Sequence, residues 1–220
     1  MNQTVLIKSY PAPPVCKAEI MRYAGGDNGE KEISLLLEEC INEVADKLSY
    51  KVCYCELPVN IENDTCDLGL ISVKSKNLAQ NLKGCKSAIL FAATIGVELD
   101  RAAAKYGRLF TAKGLLLESF GAERIEALCN TFCEDIKKEY SINTKPRFSP
   151  GYGDFPLCVQ KDIFSVLGCE KRIGLTLNDS MLMSPSKSVT AILGLTESCE
   201  KPQNKCSICN KKDCTIRGAL

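Results

Sequence analysis

The sequence predicts an α+β fold, a mainly antiparallel twisted sheet covered by helices. Three stretches predict it. Ser87–Ile95 (SAILFAATI) is an almost unbroken apolar run of strand length, which marks a central strand buried on both faces. Lys31–Leu48 sets apolar side chains at Ile33, Leu36, Leu37, Cys40, Ile41, Val44, Ala45 and Leu48, the helical period. Ile173–Met183 alternates, with Ile173, Leu175 and Leu177 on one face and Gly174, Thr176 and Asn178 on the other.

Taken in order, residues 1–30 are punctuated by Pro11, Pro13, Pro14, Gly25, Gly26 and Gly29, so they read as an extended lead-in with a short helical stretch around Ala18–Tyr23. After the Lys31–Leu48 helix, YKVCYCELPV is rich in Val, Tyr and Cys and suits a strand ended by Pro58. Leu68–Val73 reads as a short buried strand. Ser75 can cap a helix running to Leu82, with Gly84 as its stop. Gly96 closes the central strand, and the Ala-rich Val97–Tyr106 is helical.

Phe110–Tyr140 carries apolar residues at Leu115, Leu116, Phe120, Ile125, Leu128, Phe132 and Ile136, which predicts a long helix or a broken pair. Gly114 and Gly121 mark close packing or a break there. Val159–Leu167 is a short helix stopped by Gly168. Ile173–Met183, a turn at Ser184-Pro185-Ser186-Lys187 and a return strand Ser188–Leu195 then read as a hairpin. Residues 1–196 are expected to form one domain. Residues 197–220 are polar, lack aromatics and read as an appended tail.

At 220 residues, 45% hydrophobic and 25% charged, the chain can bury a full core. A net charge of +1 gives no electrostatic case for binding nucleic acid or an anionic membrane. No apolar run reaches membrane-spanning length, and MNQTVLIKSYPAPP lacks a signal peptide's apolar core, so a soluble cytoplasmic protein is expected. Of 14 cysteines, the ten from Cys16 to Cys169 are scattered among apolar residues, and most of them read as small buried hydrophobes. Histidine is absent, which excludes Ser-His and Cys-His nucleophile pairs and any His-bearing metal site.

The candidate binding residues lie in Arg147-Phe-Ser-Pro-Gly-Tyr152. Arg147 offers a planar fork of donors for a carboxylate. Pro150 and Gly151 hold a tight turn, and a glycine allows backbone to approach a ligand closely. Tyr152 presents a flat apolar ring whose face attracts cations. Such a set suits a charged, amphipathic ligand. It equally suits a surface loop whose arginine makes an ordinary salt bridge.

An ordered run extends the motif: Arg147, Gly151-Tyr152, Glu170-Lys171, Gly174-Leu175-Thr176-Leu177, Pro185 and Ser188-Val189. Over residues 147–196 this resembles the S-adenosylmethionine-binding activation domain of cobalamin-dependent methionine synthase. The resemblance implies that Arg147, Ser149, Pro150 and Gly151 contact S-adenosylmethionine and that Tyr152 faces the cobalt as the catalytic-site residue. It also implies an acid on the preceding long helix for the ligand's amino group, with Glu123 and Glu126 as candidates. Any axial imidazole on the cobalt must come from elsewhere, because this chain has no histidine. No aromatic follows Phe164, whereas the family carries one near the ligand, so a partner is expected to complete the site.

In the tail, Cys199, Cys206, Cys209 and Cys214 give C-x6-C-x2-C-x4-C. Four thiolates so placed can hold zinc or an iron–sulfur cluster. Free thiols in a disordered tail, or a redox pair at Cys206 and Cys209, are the other readings.

The resemblance implies a reactivation component of cobalamin-dependent methionine synthase. It would be a methyltransferase component that presents S-adenosylmethionine to the cobalamin of a corrinoid-bearing partner subunit once an electron donor has acted. Homocysteine methylation is expected on other chains. The alternatives are an activator of another corrinoid methyltransferase, or a non-catalytic metal-binding adaptor.

Overall fold

The computed structural model describes residues 4–25 and 31–197. Ten strands and seven helices follow in chain order among these residues. They are β1 (Leu6–Tyr10), α1 (Lys17–Ala24), α2 (Lys31–Val44), β2 (Tyr50–Pro58), β3 (Asn60–Glu62), β4 (Thr65–Asp67), β5 (Ser72–Lys74), α3 (Lys76–Asn81) and β6 (Ser87–Thr94). There follow α4 (Glu98–Leu109), α5 (Thr111–Tyr140), β7 (Asn143–Thr144), α6 (Gln160–Leu167), α7 (Cys169–Ile173), β8 (Thr176–Leu177), β9 (Met183–Ser184) and β10 (Ser188–Thr196).

The main sheet has the order β1-β2-β6-β10-β7, and each neighbouring pair is antiparallel. The apolar run that predicts a central strand is β6, with β2 and β10 on its flanks and nearly every side chain buried. Its alternating residues feed two cores. Ile89, Phe91 and Ala93 face α1, α2, α4 and α5, whereas Ala88, Leu90 and Ala92 face α3, α6 and α7. The sheet is therefore sandwiched between helical layers, which is the predicted α+β class.

The long apolar pattern forms one unbroken helix, α5. Its glycines are points of close packing. A Cβ on Gly121 would sit 2.0 Å from Leu99 Cδ2, and one on Gly114 would sit 3.0 Å from Gly107 Cα. Ser75 caps α3 as expected, its hydroxyl accepting from the Leu78 N–H at 3.1 Å.

Three sequence expectations are corrected. The lead-in is not simply extended, because Leu6–Tyr10 joins the main sheet as edge strand β1, paired along its length with β2. Pro11 and the two prolines beyond it end that strand rather than prevent it. Leu68–Val73 is not a strand. The Asp67 carboxylate accepts from the Gly69 N–H at 2.9 Å and Leu68 N–H bonds Ile71 at 2.8 Å, so the chain turns there and β4 pairs with β5 instead.

The expected hairpin of Ile173–Met183 with Ser188–Leu195 does not form. Ile173 ends α7, and Gly174 caps it at φ +69°. Beyond, the Asn178 side chain accepts from the Leu182 N–H at 2.9 Å, closing a tight turn that pairs β8 with β9. β10 pairs with β6 and β7.

Candidate functional site

The Arg147–Tyr152 motif lies in the connection between β7 and α6, held along the β10 side of the sheet by two backbone hydrogen bonds of 2.9 Å between Phe148 and Ile192 of β10. The turn itself follows from composition. Tyr152 N–H bonds Ser149 carbonyl at 3.1 Å, with Pro150 and Gly151 at the two middle positions and Gly151 at φ +91°. A proline followed by a residue in the left-handed region is the type II pattern, so glycine is required at position 151 for the bend itself. Gly151 N–H also bonds Phe155 carbonyl at 2.8 Å. Pro150 is buried beneath the turn, and Ser149 has its carbonyl in it.

Tyr152 is held at the surface by aromatic contacts. Phe155 is buried, Phe148 stacks on it at 6.1 Å between ring centroids, and Tyr152 meets Phe148 edge-on at 5.9 Å. The Tyr152 ring is 51% exposed.

Arg147 points towards α5. Its guanidinium donates to Asn130 Oδ1 at 2.7 Å and forms an ion pair with Glu126, leaving its side chain 15% exposed. Beneath it lie the Cys129 and Cys133 thiols, both pushed up by burial and so neutral. Glu126 and Asn130 are four apart on one helical face, which is why a single guanidinium reaches both.

The two partners of Arg147 also line a cleft of about 370 Å³, walled by Pro14, Cys16, Glu19 and Tyr23 on one side and Glu123, Glu126, Ala127 and Asn130 on the other. One wall is the N-terminal segment and α1; the other is α5. They are joined by a buried ion pair. Arg124 is 1% exposed and donates to both Glu123 oxygens at 2.5 Å, to Pro13 carbonyl at 2.5 Å and to Pro14 carbonyl at 2.7 Å. Glu123 also accepts from Cys16 N–H at 3.1 Å. Burial opposes the Arg124 charge, yet the Glu123 carboxylate holds its pKa above the ordinary value. Burial, then the nearby Glu126 charge, raises the Tyr23 hydroxyl, which keeps it protonated.

The two candidate acids thus differ. Glu123 is 5% exposed, with both oxygens engaged by Arg124 and the Cys16 backbone. Glu126 is 43% exposed at the cleft and, among the described residues, is hydrogen-bonded by Arg147. Arg147 and Tyr152 are not among the residues lining the cleft. Arg147 borders it through Glu126 and Asn130. Asn130 does carry a sequence signal, since it repeats the helical face of Glu123 and Glu126. Cys16, Glu19 and Tyr23 carry none, because only the long-range docking of the lead-in brings them here. A second cleft of about 350 Å³, lined by Asn60, Glu62, Asn63, Thr65, Asp67 and Ser72, has neither an arginine nor a ring.

The tail cysteines Cys199, Cys206, Cys209 and Cys214 lie outside the described residues. Among the described residues, no group of three or more His, Cys, Asp or Glu side chains is placed to hold a metal ion. No helix of the described residues is long and apolar enough to cross a membrane.

No family model matches the sequence, and no curated protein matches it significantly. Among solved structures, the chain is similar to the crystal structure of the MetH reactivation domain bound to AdoHcy, with a TM-score of 0.67 and 15% sequence identity over 91% of this chain and 81% of that chain. A likeness at that identity shows the fold. The α+β architecture expected from the order of elements is that of the reactivation domain, the fold that the resemblance over residues 147–196 implies.

Proposed function

We propose that this chain binds S-adenosylmethionine at the cleft beside the Arg147–Tyr152 turn and presents its methyl group to the corrinoid of a partner protein during reactivation of cobalamin-dependent methionine synthase. The observation that carries this reading is the position of Arg147. It lies two residues before a proline–glycine turn, shares its loop with an exposed tyrosine, and is paired with an acid that opens onto a cleft of ligand size. The reactivation-domain fold and the AdoHcy in the solved neighbour support the ligand class.

The Arg147–Glu126 pair fits a zwitterionic amino-acid head group. The ligand's carboxylate takes the guanidinium and its ammonium takes the released Glu126 carboxylate. Net charge in the site is unchanged, and two charge-assisted contacts replace one. Asn130 keeps the guanidinium aimed while the exchange occurs. The Tyr152 ring face, next along the turn, is suited to the sulfonium.

The partner's corrinoid and a separate electron donor supply the reduced methyl acceptor. This chain supplies proximity and orientation. Methyl transfer requires no general base, in keeping with a chain without histidine. Homocysteine methylation is assigned to other polypeptides.

Calorimetric titration with S-adenosylmethionine, alone and with a corrinoid protein present, tests the reading. The wild type is expected to bind, and Arg147→Ala to bind about tenfold to a hundredfold more weakly, the loss typical of a hydrogen bond between charged groups. Equal affinity of the two proteins, or no binding by the wild type under either condition, contradicts it.

A further inference from the structure

We propose that Asp154 is a positioning residue of this site: its carboxylate clamps the Arg147–Tyr152 turn to the first turn of α3, and ligand affinity depends on the clamp. The inference rests on the binding reading above.

The clamp is made of long-range contacts. Asp154 Oδ1 accepts from Ser75 Oγ at 2.6 Å and from Asn77 N–H at 3.1 Å, and Oδ2 accepts from Lys76 N–H at 2.8 Å. In return Asn77 Oδ1 accepts from Asp154 N–H at 3.2 Å. These residues lie 77 to 79 positions apart in sequence.

The Asn77 side chain packs directly on the backbone of the turn. Gly153 stands at φ +55°, and a Cβ there would lie 2.5 Å from Asn77 Oδ1. No other residue type fits that contact without displacing Asn77.

Tyr152 is thus bracketed by two glycines in the left-handed region, Gly151 and Gly153. Such residues have wide torsional freedom. Upstream, the Phe148–Ile192 hydrogen bonds hold the strand side of the turn. Downstream, Phe155 anchors the chain in the second core, but a buried ring fixes a point and not the rotation of the peptide before it. Asp154 supplies that rotation through three accepted hydrogen bonds.

α3 keeps a cap of its own without Asp154, because Ser75 accepts from Leu78 N–H; Asp154 adds acceptors for the Lys76 and Asn77 N–H groups, which lie at the surface where water can replace it. The Asp154 carboxylate is solvent-facing and buries no core area. Its role is therefore in aiming the turn more than in holding the domain together.

The test uses the full chain and S-adenosylhomocysteine as the calorimetric probe, with thermal melting measured alongside. Asp154→Ala is expected to bind about tenfold more weakly while melting close to the wild type. Asp154→Asn, whose amide oxygen can still accept from the α3 backbone, is expected to recover affinity to within about threefold of the wild type. Affinity unchanged in Asp154→Ala overturns the proposal, as does Asp154→Asn binding no better than Asp154→Ala.

Should Asp154→Ala fail to fold, Asn77→Ala decides. It removes the reciprocal acceptor and leaves the Ser75 cap in place. A loss of about threefold supports the clamp, and none overturns it. A wild type that does not bind the probe removes the binding reading itself, an outcome separate from a wild type that binds and variants that bind equally well.

Discussion

At the scale of single residues, the cysteines show how environment sets chemistry. Among the described residues, Cys40, Cys53, Cys55, Cys66, Cys85, Cys129, Cys133 and Cys169 are buried, and Cys16 and Cys158 are exposed. Burial pushes the Cys40, Cys55 and Cys66 thiols up to about 11, so at neutral pH they carry almost no thiolate. Brief alkylation of the native protein, mapped by mass spectrometry, is therefore expected to label Cys16 and Cys158 among these ten and to label the rest only after unfolding. Native labelling of Cys55 or Cys66 at the rate of Cys158 would refute this. Their apolar neighbours made that burial legible in the sequence. The partner of Arg147 was not legible. The family resemblance makes Glu126 a candidate acid, but whether it pairs with Arg147 or awaits a ligand depends on how α5 passes the turn. The Glu123–Arg124 pair was hidden for the same reason, since adjacent charges on a helix ordinarily face solvent.

At the scale of elements, periodicity located what periodicity governs. β6, β2, α2 and α5 stand close to where their patterns place them, because each is long enough for the pattern to outweigh local exceptions. The expected strand at Ile173–Met183 failed because an alternation of three apolar residues is also compatible with a helix end, a glycine cap and a short strand. Gly174 and Asn178 decided the matter through backbone conformation and a side-chain hydrogen bond. The edge strand β1 was missed because its neighbouring prolines read as a loop.

Packing between elements gives a sharper test. Gly121 lets α5 meet Leu99 of α4 and the aliphatic stem of Lys187, which lies 2.9 Å from where a Cβ would stand. Gly121→Ala is expected to destabilise the protein by about 1–3 kcal/mol in urea denaturation, as overpacking does. Gly107→Ala, where nothing lies within 4 Å of the added atom, serves as the control and is expected to cost nothing. Equal stability of the two variants would show that the α4–α5 contact is looser than described.

At the scale of the whole molecule, the cleft is a product of topology. The sheet brings β1 alongside β2, the chain leaves β1 across α5, and the buried Arg124 fixes that crossing through Glu123, Pro13 and Pro14. One wall then comes from the first 25 residues and the other from α5, while the turn that carries Arg147 is bound from the opposite side by α3 and β10. The fold class and the motif were legible in the sequence. The cleft was not, since no local pattern records that residues 14–23 lie against residues 123–130.

The central claim is that the Arg147–Tyr152 turn and Glu126 receive the amino-acid end of a methyl donor. The measurement that tests it most directly is a crystal structure of the protein grown with S-adenosylhomocysteine. The ligand's carboxylate is expected on Arg147, its ammonium on the released Glu126 and its sulfur beside the Tyr152 ring. An intact Arg147–Glu126 pair in crystals with the ligand bound elsewhere would contradict it.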